Sequence, residues 1–139
     1  MSSKLTARGH RAIILVVERD PHVRALEAFF LNEAGFGVEF AADGFSALEM
    51  ARAMKPDIII TEVLVPKLDG LALCRAVRKE AELKDTVVLI FSILAAHSRA
   101  REAGADAFLM KPLAEQRLVQ TVRELLAQRP TSTSATERA

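Results

Sequence analysis

The stretch PDIIITEVLVPKLDG, residues Pro56 to Gly70, opens on a run, Asp57 to Glu62, that is apolar at nearly every position and ends in an acid. A strand with one wet face alternates, whereas a strand covered by helices on both faces does not, so this run belongs to a doubly covered sheet. Working outward, Ala12 to Val17, Gly37 to Phe40, Thr86 to Phe91 and Asp106 to Met110 have the same character. Five such strands separated by helical patterns imply an α/β fold with a parallel sheet.

The helices carry their own signals. Asp20 followed by Pro21 is an N-cap with Pro at the first helical position, and Val23, Leu26, Phe29 and Phe30 form a buried stripe running to Gly35. Asp43 caps a second helix, which ends before Pro56. Pro112 starts the last helix, where Leu118, Val119, Val122, Leu125 and Leu126 recur on one face. The resulting (βα)5 pattern implies a doubly wound, flavodoxin-like sheet of five parallel strands in the order 2-1-3-4-5, with ligands at the carboxyl ends of the strands.

Composition bounds the rest. The 139 residues, 50% hydrophobic and 27% charged, suit one domain with one core, set at 12–128 between a flexible segment 1–11 and a disordered tail 129–139 rich in Pro, Ser and Thr. A net charge of +1 lacks the basic excess that nucleic acid rewards. The apolar run Ala12 to Val17 is too short for a signal peptide core or a membrane span. A single Cys, Cys74, excludes an internal disulfide and fits a reducing, cytoplasmic setting. His10, His22 and His97 match no metal-ligand spacing.

From ILVVERDP (Ile14 to Pro21) through PDIIITEVLVPKLDG and VVLIFS (Val87 to Ser92) to GADAFLMKPL (Gly104 to Leu113), the chain resembles the response-regulator receiver (CheY-like) domain family. The resemblance implies a site of two acids after the first strand and an Asp after the third that hold Mg2+, the Asp taking a phosphoryl group from a histidine kinase. A Ser or Thr and a Lys complete it. Residue by residue, Glu18 and Arg19 occupy the acidic pair, Glu62 the phosphoacceptor, Ser92 the hydroxyl and Lys111 the lysine, with Phe108 at the aromatic switch position.

Arg19 and Glu62 depart from the pattern. Arg19 replaces a metal ligand with a cation, and it either pairs with Glu62 or points to solvent; with the pairing, Glu18 and Glu62 balance Arg19 and Lys111 and the pocket is neutral without metal. The extra methylene of Glu62 moves its carboxylate by about an ångström, a displacement that costs around 10²-fold in chemistry of this kind. Ile93 stands where the family usually has a small residue, and narrows the entrance.

Loss of phosphotransfer is therefore the leading expectation: an atypical, stand-alone pseudo-receiver in two-component signal transduction, with no enzymatic turnover, no cofactor and no metal. Retained Lys111 either holds Glu62 as it would an aspartyl phosphate or simply neutralises a buried acid. The alternative is a functional phosphotransfer receiver that still binds Mg2+ and accepts phosphate from a histidine kinase; a small-ligand site is a third, unsupported by any glycine-rich loop. Ser92 to Gly104 is about one helical turn shorter than the family suggests. The expected partner is a signalling protein bound through the fourth helix, fifth strand and fifth helix, and the chain is a monomer or weak dimer, with no nucleic-acid or membrane contact.

Overall fold

The computed structural model describes residues 11–129. Apart from Arg11 and Arg129, the segments 1–11 and 129–139 and the residue His10 lie outside the described residues.

Five strands, β1 (Ile13–Val17), β2 (Gly37–Ala41), β3 (Ile58–Thr61), β4 (Val87–Ser92) and β5 (Ala107–Met110), alternate with α1 (Pro21–Glu33), α2 (Gly44–Met54), α3 (Gly70–Arg78), α4 (His97–Ala103) and α5 (Glu115–Gln128). The strands are all parallel, in the order β2-β1-β3-β4-β5. β3 and β4 are buried at every position, as their continuous apolar character requires. Successive residues nevertheless divide between two cores: Ile14, Val16, Ile58, Ile60, Leu89 and Phe91 meet Leu31, Leu118 and Val122 of α1 and α5, while Leu15, Val17, Ile59, Val88 and Ile90 meet Ala47, Leu73, Cys74 and Ala100 of α2, α3 and α4. No helix among the described residues is long and apolar enough to cross a membrane.

Caps set the helix starts. The Asp20 carboxylate accepts from the backbone N–H groups of His22 and Val23, Asp43 from Ser46, and Asp69 from Ala72. α4 spans seven residues, without a side-chain cap, and stops at Gly104, whose φ of 96° lies in the left-handed region.

Three expectations need correction. The stripe of α1 is rotated: Glu27, Ala28 and Leu31 are its buried residues, Val23 and Phe30 are half-buried, and Leu26 and Phe29 are 49% and 57% exposed. Apolar residues lie on both sides of this helix, so periodicity alone gives its rotation ambiguously, and Glu27 can face inward because a cation awaits it there. α5 begins at Glu115, not Pro112; Lys111 still donates its N–H to the Ser92 carbonyl at 2.8 Å, so the chain leaves the sheet at Pro112 and needs a connection before it can coil. Arg129, placed by the sequence in the tail, instead clamps the end of α5 to the base of β3, donating to the Asp57 carbonyl at 2.9 Å and carboxylate at 2.8 Å.

Candidate functional site

The carboxyl ends of β1, β3, β4 and β5 bring together Glu18, Glu62, Ser92 and Lys111, the residues that the receiver resemblance points to. Glu62, buried, is held from several directions. Its carboxylate accepts from the Ser92 hydroxyl, from the Val63 N–H at 2.7 Å and from the Ile93 N–H at 3.2 Å, with the Leu64 N–H at 3.5 Å. The Lys111 ammonium lies 3.3 Å from its Oε2. Burial alone would raise the Glu62 pKa; the Ser92 hydroxyl, the Lys111 charge and the N–H groups of Val63 and Ile93 outweigh it and hold this acid below its ordinary value.

Lys111 is the centre of the electrostatics. It makes a 2.6 Å contact with Glu18 Oε1, lies 3.9 Å from Glu27 Oε2, and stands 5.2 Å above the centroid of Phe91. Burial opposes its charge, but the hydrogen bond to Glu18 and the fields of Glu18, Glu27 and Glu62 more than compensate, so its pKa is raised. Glu27 shows the converse balance. Burial pushes it up to about 7, with Lys111 acting the other way and Glu18 and Glu62 adding to the rise.

Arg19 does not join this cluster. It is exposed and has no ion-pair partner among the described residues, so it does not pair with Glu62. Lys111 already reaches both pocket acids, and a guanidinium that stays hydrated escapes the desolvation cost of burial. The neutral pocket is thereby overturned. With Arg19 outside and Glu27 inside, three carboxylates face one ammonium, an excess of two negative charges when all are ionised. Ile93 is also placed differently: its side chain is 58% exposed, and its contribution to the pocket is its backbone N–H.

Glu27 is the residue that the sequence reading missed. The row Val23, Glu27, Leu31, four residues apart on α1, carried the available signal, since an acid between two apolar positions of one helical row faces the same way as they do.

These residues do not fit a magnesium site as they stand. Glu18 has Lys111 on one oxygen and the Asp20 N–H on the other, the oxygens of Glu62 are taken as described, and Arg19 supplies no oxygen. Among the described residues no group of three or more His, Cys, Asp or Glu is arranged to hold a metal ion.

Phe108, on β5 opposite Ile90, packs against the α2–α4 core, and the exposed His97 ring lies on it with centroids 4.2 Å apart. Gly70 opens α3 against the backbone of the site: a Cβ there would stand 2.2 Å from the Glu62 carbonyl oxygen. Gly70→Ala is expected to lower stability by about 1–3 kcal/mol through this overlap, measured by urea denaturation, with the Glu62 and Val63 amides displaced.

Comparison with known proteins identifies the family and the fold. The family model for the response regulator receiver domain matches residues 14–123. The response regulator MprA of Mycobacterium ulcerans is 38% identical over 116 residues, covering 81% of this chain and 49% of that protein. The chain thus spans about half the length of the curated relatives it matches. Among solved structures, the receiver domain of a Syntrophus aciditrophicus signal transduction histidine kinase is 33% identical with a TM-score of 0.80, over 87% of this chain and 96% of that one. The chemotaxis response regulator CheY4 of Vibrio cholerae is 30% identical with a TM-score of 0.78, over 83% and 98%. Sheet order, the placement of Glu18, Ser92 and Lys111, and these matches agree: the chain belongs to the response-regulator receiver family and is a module of signal transduction.

Proposed function

We propose that this receiver signals by protein–protein interaction without phosphorylation, with the Glu62 carboxylate as permanent occupant of the place where a phosphoryl group would be bound. One observation carries the reading. A hydroxyl, two backbone N–H groups and an ammonium, the donor set suited to an anion, already converge on Glu62. A transferred phosphoryl group would have to displace its own acceptor from these donors. The donors include Ile93 at the start of the loop into α4, and Lys111 at the end of β5, so the occupant is coupled to the α4, β5 and α5 face, which we take as the surface for a signalling partner. The setting we infer is cytoplasmic, consistent with a buried thiol whose pKa burial pushes up to about 11.

The test is an amide NMR titration of the full chain with Mg2+ and then with beryllofluoride, a stable mimic of an acyl phosphate. No saturable shifts are expected at Glu18, Glu62, Ser92 or Lys111, whereas Glu62→Ala should move the amides of Ser92, Ile93 and Phe108. Saturable shifts spreading to Phe108 would replace this reading with phosphotransfer at Glu62. That second reading draws on the excess of pocket carboxylates left by the outward Arg19.

A further inference from the structure

Neither the apolar pattern nor the receiver resemblance accounts for the third carboxylate on Lys111. Glu27 is 7% exposed on the inner face of α1, and its Oε2 is 3.9 Å from the ammonium that Glu18 and Glu62 approach to 2.6 and 3.3 Å. Those two acids have further donors, the Asp20 N–H for Glu18 and the Ser92, Val63 and Ile93 groups for Glu62. Glu27 depends on the more distant share of a cation that its neighbours hold.

We propose that Glu27 is a proton-operated latch on the pocket: protonated, it leaves Lys111 to Glu18 and Glu62; ionised, it draws Lys111 toward α1 and loosens the Glu62 carboxylate and the loop carrying Ile93. This regulation rests on the reading of Glu62 as permanent occupant. The surrounding charges fit it. β1 presents Glu18, β3 Glu62 and β5 Lys111, while α5 brings Glu115 and Arg123 to the groove it shares with Phe30 and Glu33 of α1. Arg24 of α1 is committed elsewhere, donating to the Glu18 carbonyl at 2.8 Å and lying 5.7 Å from the Phe40 ring of β2. Burial first, then the opposing charge of Lys111 and the fields of Glu18 and Glu62, bring the pKa of Glu27 to about 7.

The experiment is a carbon-detected NMR titration of the Glu27 side-chain carboxyl in the full chain between about pH 5 and about pH 9, following the Leu64, Ile93 and Lys111 amides in the same samples. One midpoint near 7 is expected for the carboxyl and the amides alike, with the amide transition lost in Glu27→Gln. The His97 ring lies on Phe108, so the transition must also survive His97→Asn. A carboxyl midpoint below about 5.5, amides flat through the range, or an unchanged amide transition in Glu27→Gln each overturns the latch. Should Glu27→Gln not fold, the carboxyl and amide midpoints of the His97→Asn chain decide it. A chain that accepts beryllofluoride yet keeps the shared midpoint loses the occupancy reading and retains the latch; a closed pocket with flat amides does the reverse.

Discussion

Replacing Lys111 by Met lowers the stability of this chain by about 3–5 kcal/mol at neutral pH, more than any other single change in the pocket. The ammonium is the shared partner of Glu18, Glu27 and Glu62, whose side chains are 7%, 8% and 5% exposed. Desolvating a charge is tolerable only while its partner remains, and Met removes one partner from three acids at once. Met fills a similar volume, so the loss is electrostatic rather than a cavity effect. Because the cluster is buried, added salt should recover little of it. The remaining acids would be driven to bind protons in the folded state more readily than in the unfolded chain, so the variant should regain stability as pH falls toward 5.

A double-mutant cycle identifies the site of the loss. Glu18 depends on Lys111 for its 2.6 Å contact, whereas Glu62 keeps the Ser92 hydroxyl and two backbone N–H groups. Glu18→Gln in the Lys111→Met background should therefore recover about 1 kcal/mol or more, while the same substitution in the unaltered chain destabilises. Urea denaturation of the four chains measures this. A loss below about 1 kcal/mol for Lys111→Met would place the three acids in a wetter, more weakly coupled environment than the geometry describes.

How far the sequence foretold this cluster depends on the length scale of each signal. The strand runs were legible to within a residue or two: burial on both faces leaves no other composition for β1, β3 and β4, whereas the edge strands β2 and β5 are partly exposed. The caps Asp20 and Asp43 were equally local: each needs only its own side chain and the next few N–H groups. Glu18, Glu62, Ser92 and Lys111 were found because the receiver motifs carry them, although each lies in a different segment. Glu27 shares a helical row with Val23 and Leu31, but a periodicity argument scores an acid as solvent-facing; its burial is decided by Lys111, distant along the chain. Arg19 failed for the related reason that position in a motif fixes a Cα but not the direction of a long side chain. Pro112 satisfied the rule for a helix start, yet the Lys111 N–H was already committed to β4, a long-range pairing that no local rule sees.

Glu27 also sets the pH dependence of stability, in a direction opposite to that of ordinary surface-paired acids. Its folded pKa of about 7 stands above the ordinary value of 4.5, so between these limits the folded chain holds a proton that the unfolded chain has released. Stability from this group is complete below about pH 4.5, falls as pH rises through the interval, and levels off above about pH 7. A rise of about 2.5 units corresponds to roughly 3 kcal/mol over the whole interval, of which about 2 kcal/mol falls between pH 5.5 and pH 8. Glu27→Gln keeps the shape and polarity of the neutral acid but has no proton to lose. Its stability relative to the unaltered chain should therefore rise by about 2 kcal/mol on going from pH 5.5 to pH 8, measured from urea midpoints at the two values. Glu62 provides the internal contrast. Its pKa is lowered, so its contribution is present above the ordinary carboxylate range and lost as pH falls, and Glu62→Gln should show its largest deficit at neutral pH. Parallel pH profiles for the Glu27→Gln and unaltered chains would mean that Glu27 ionises as freely folded as unfolded, which a buried carboxyl sharing one ammonium with two other acids does not permit.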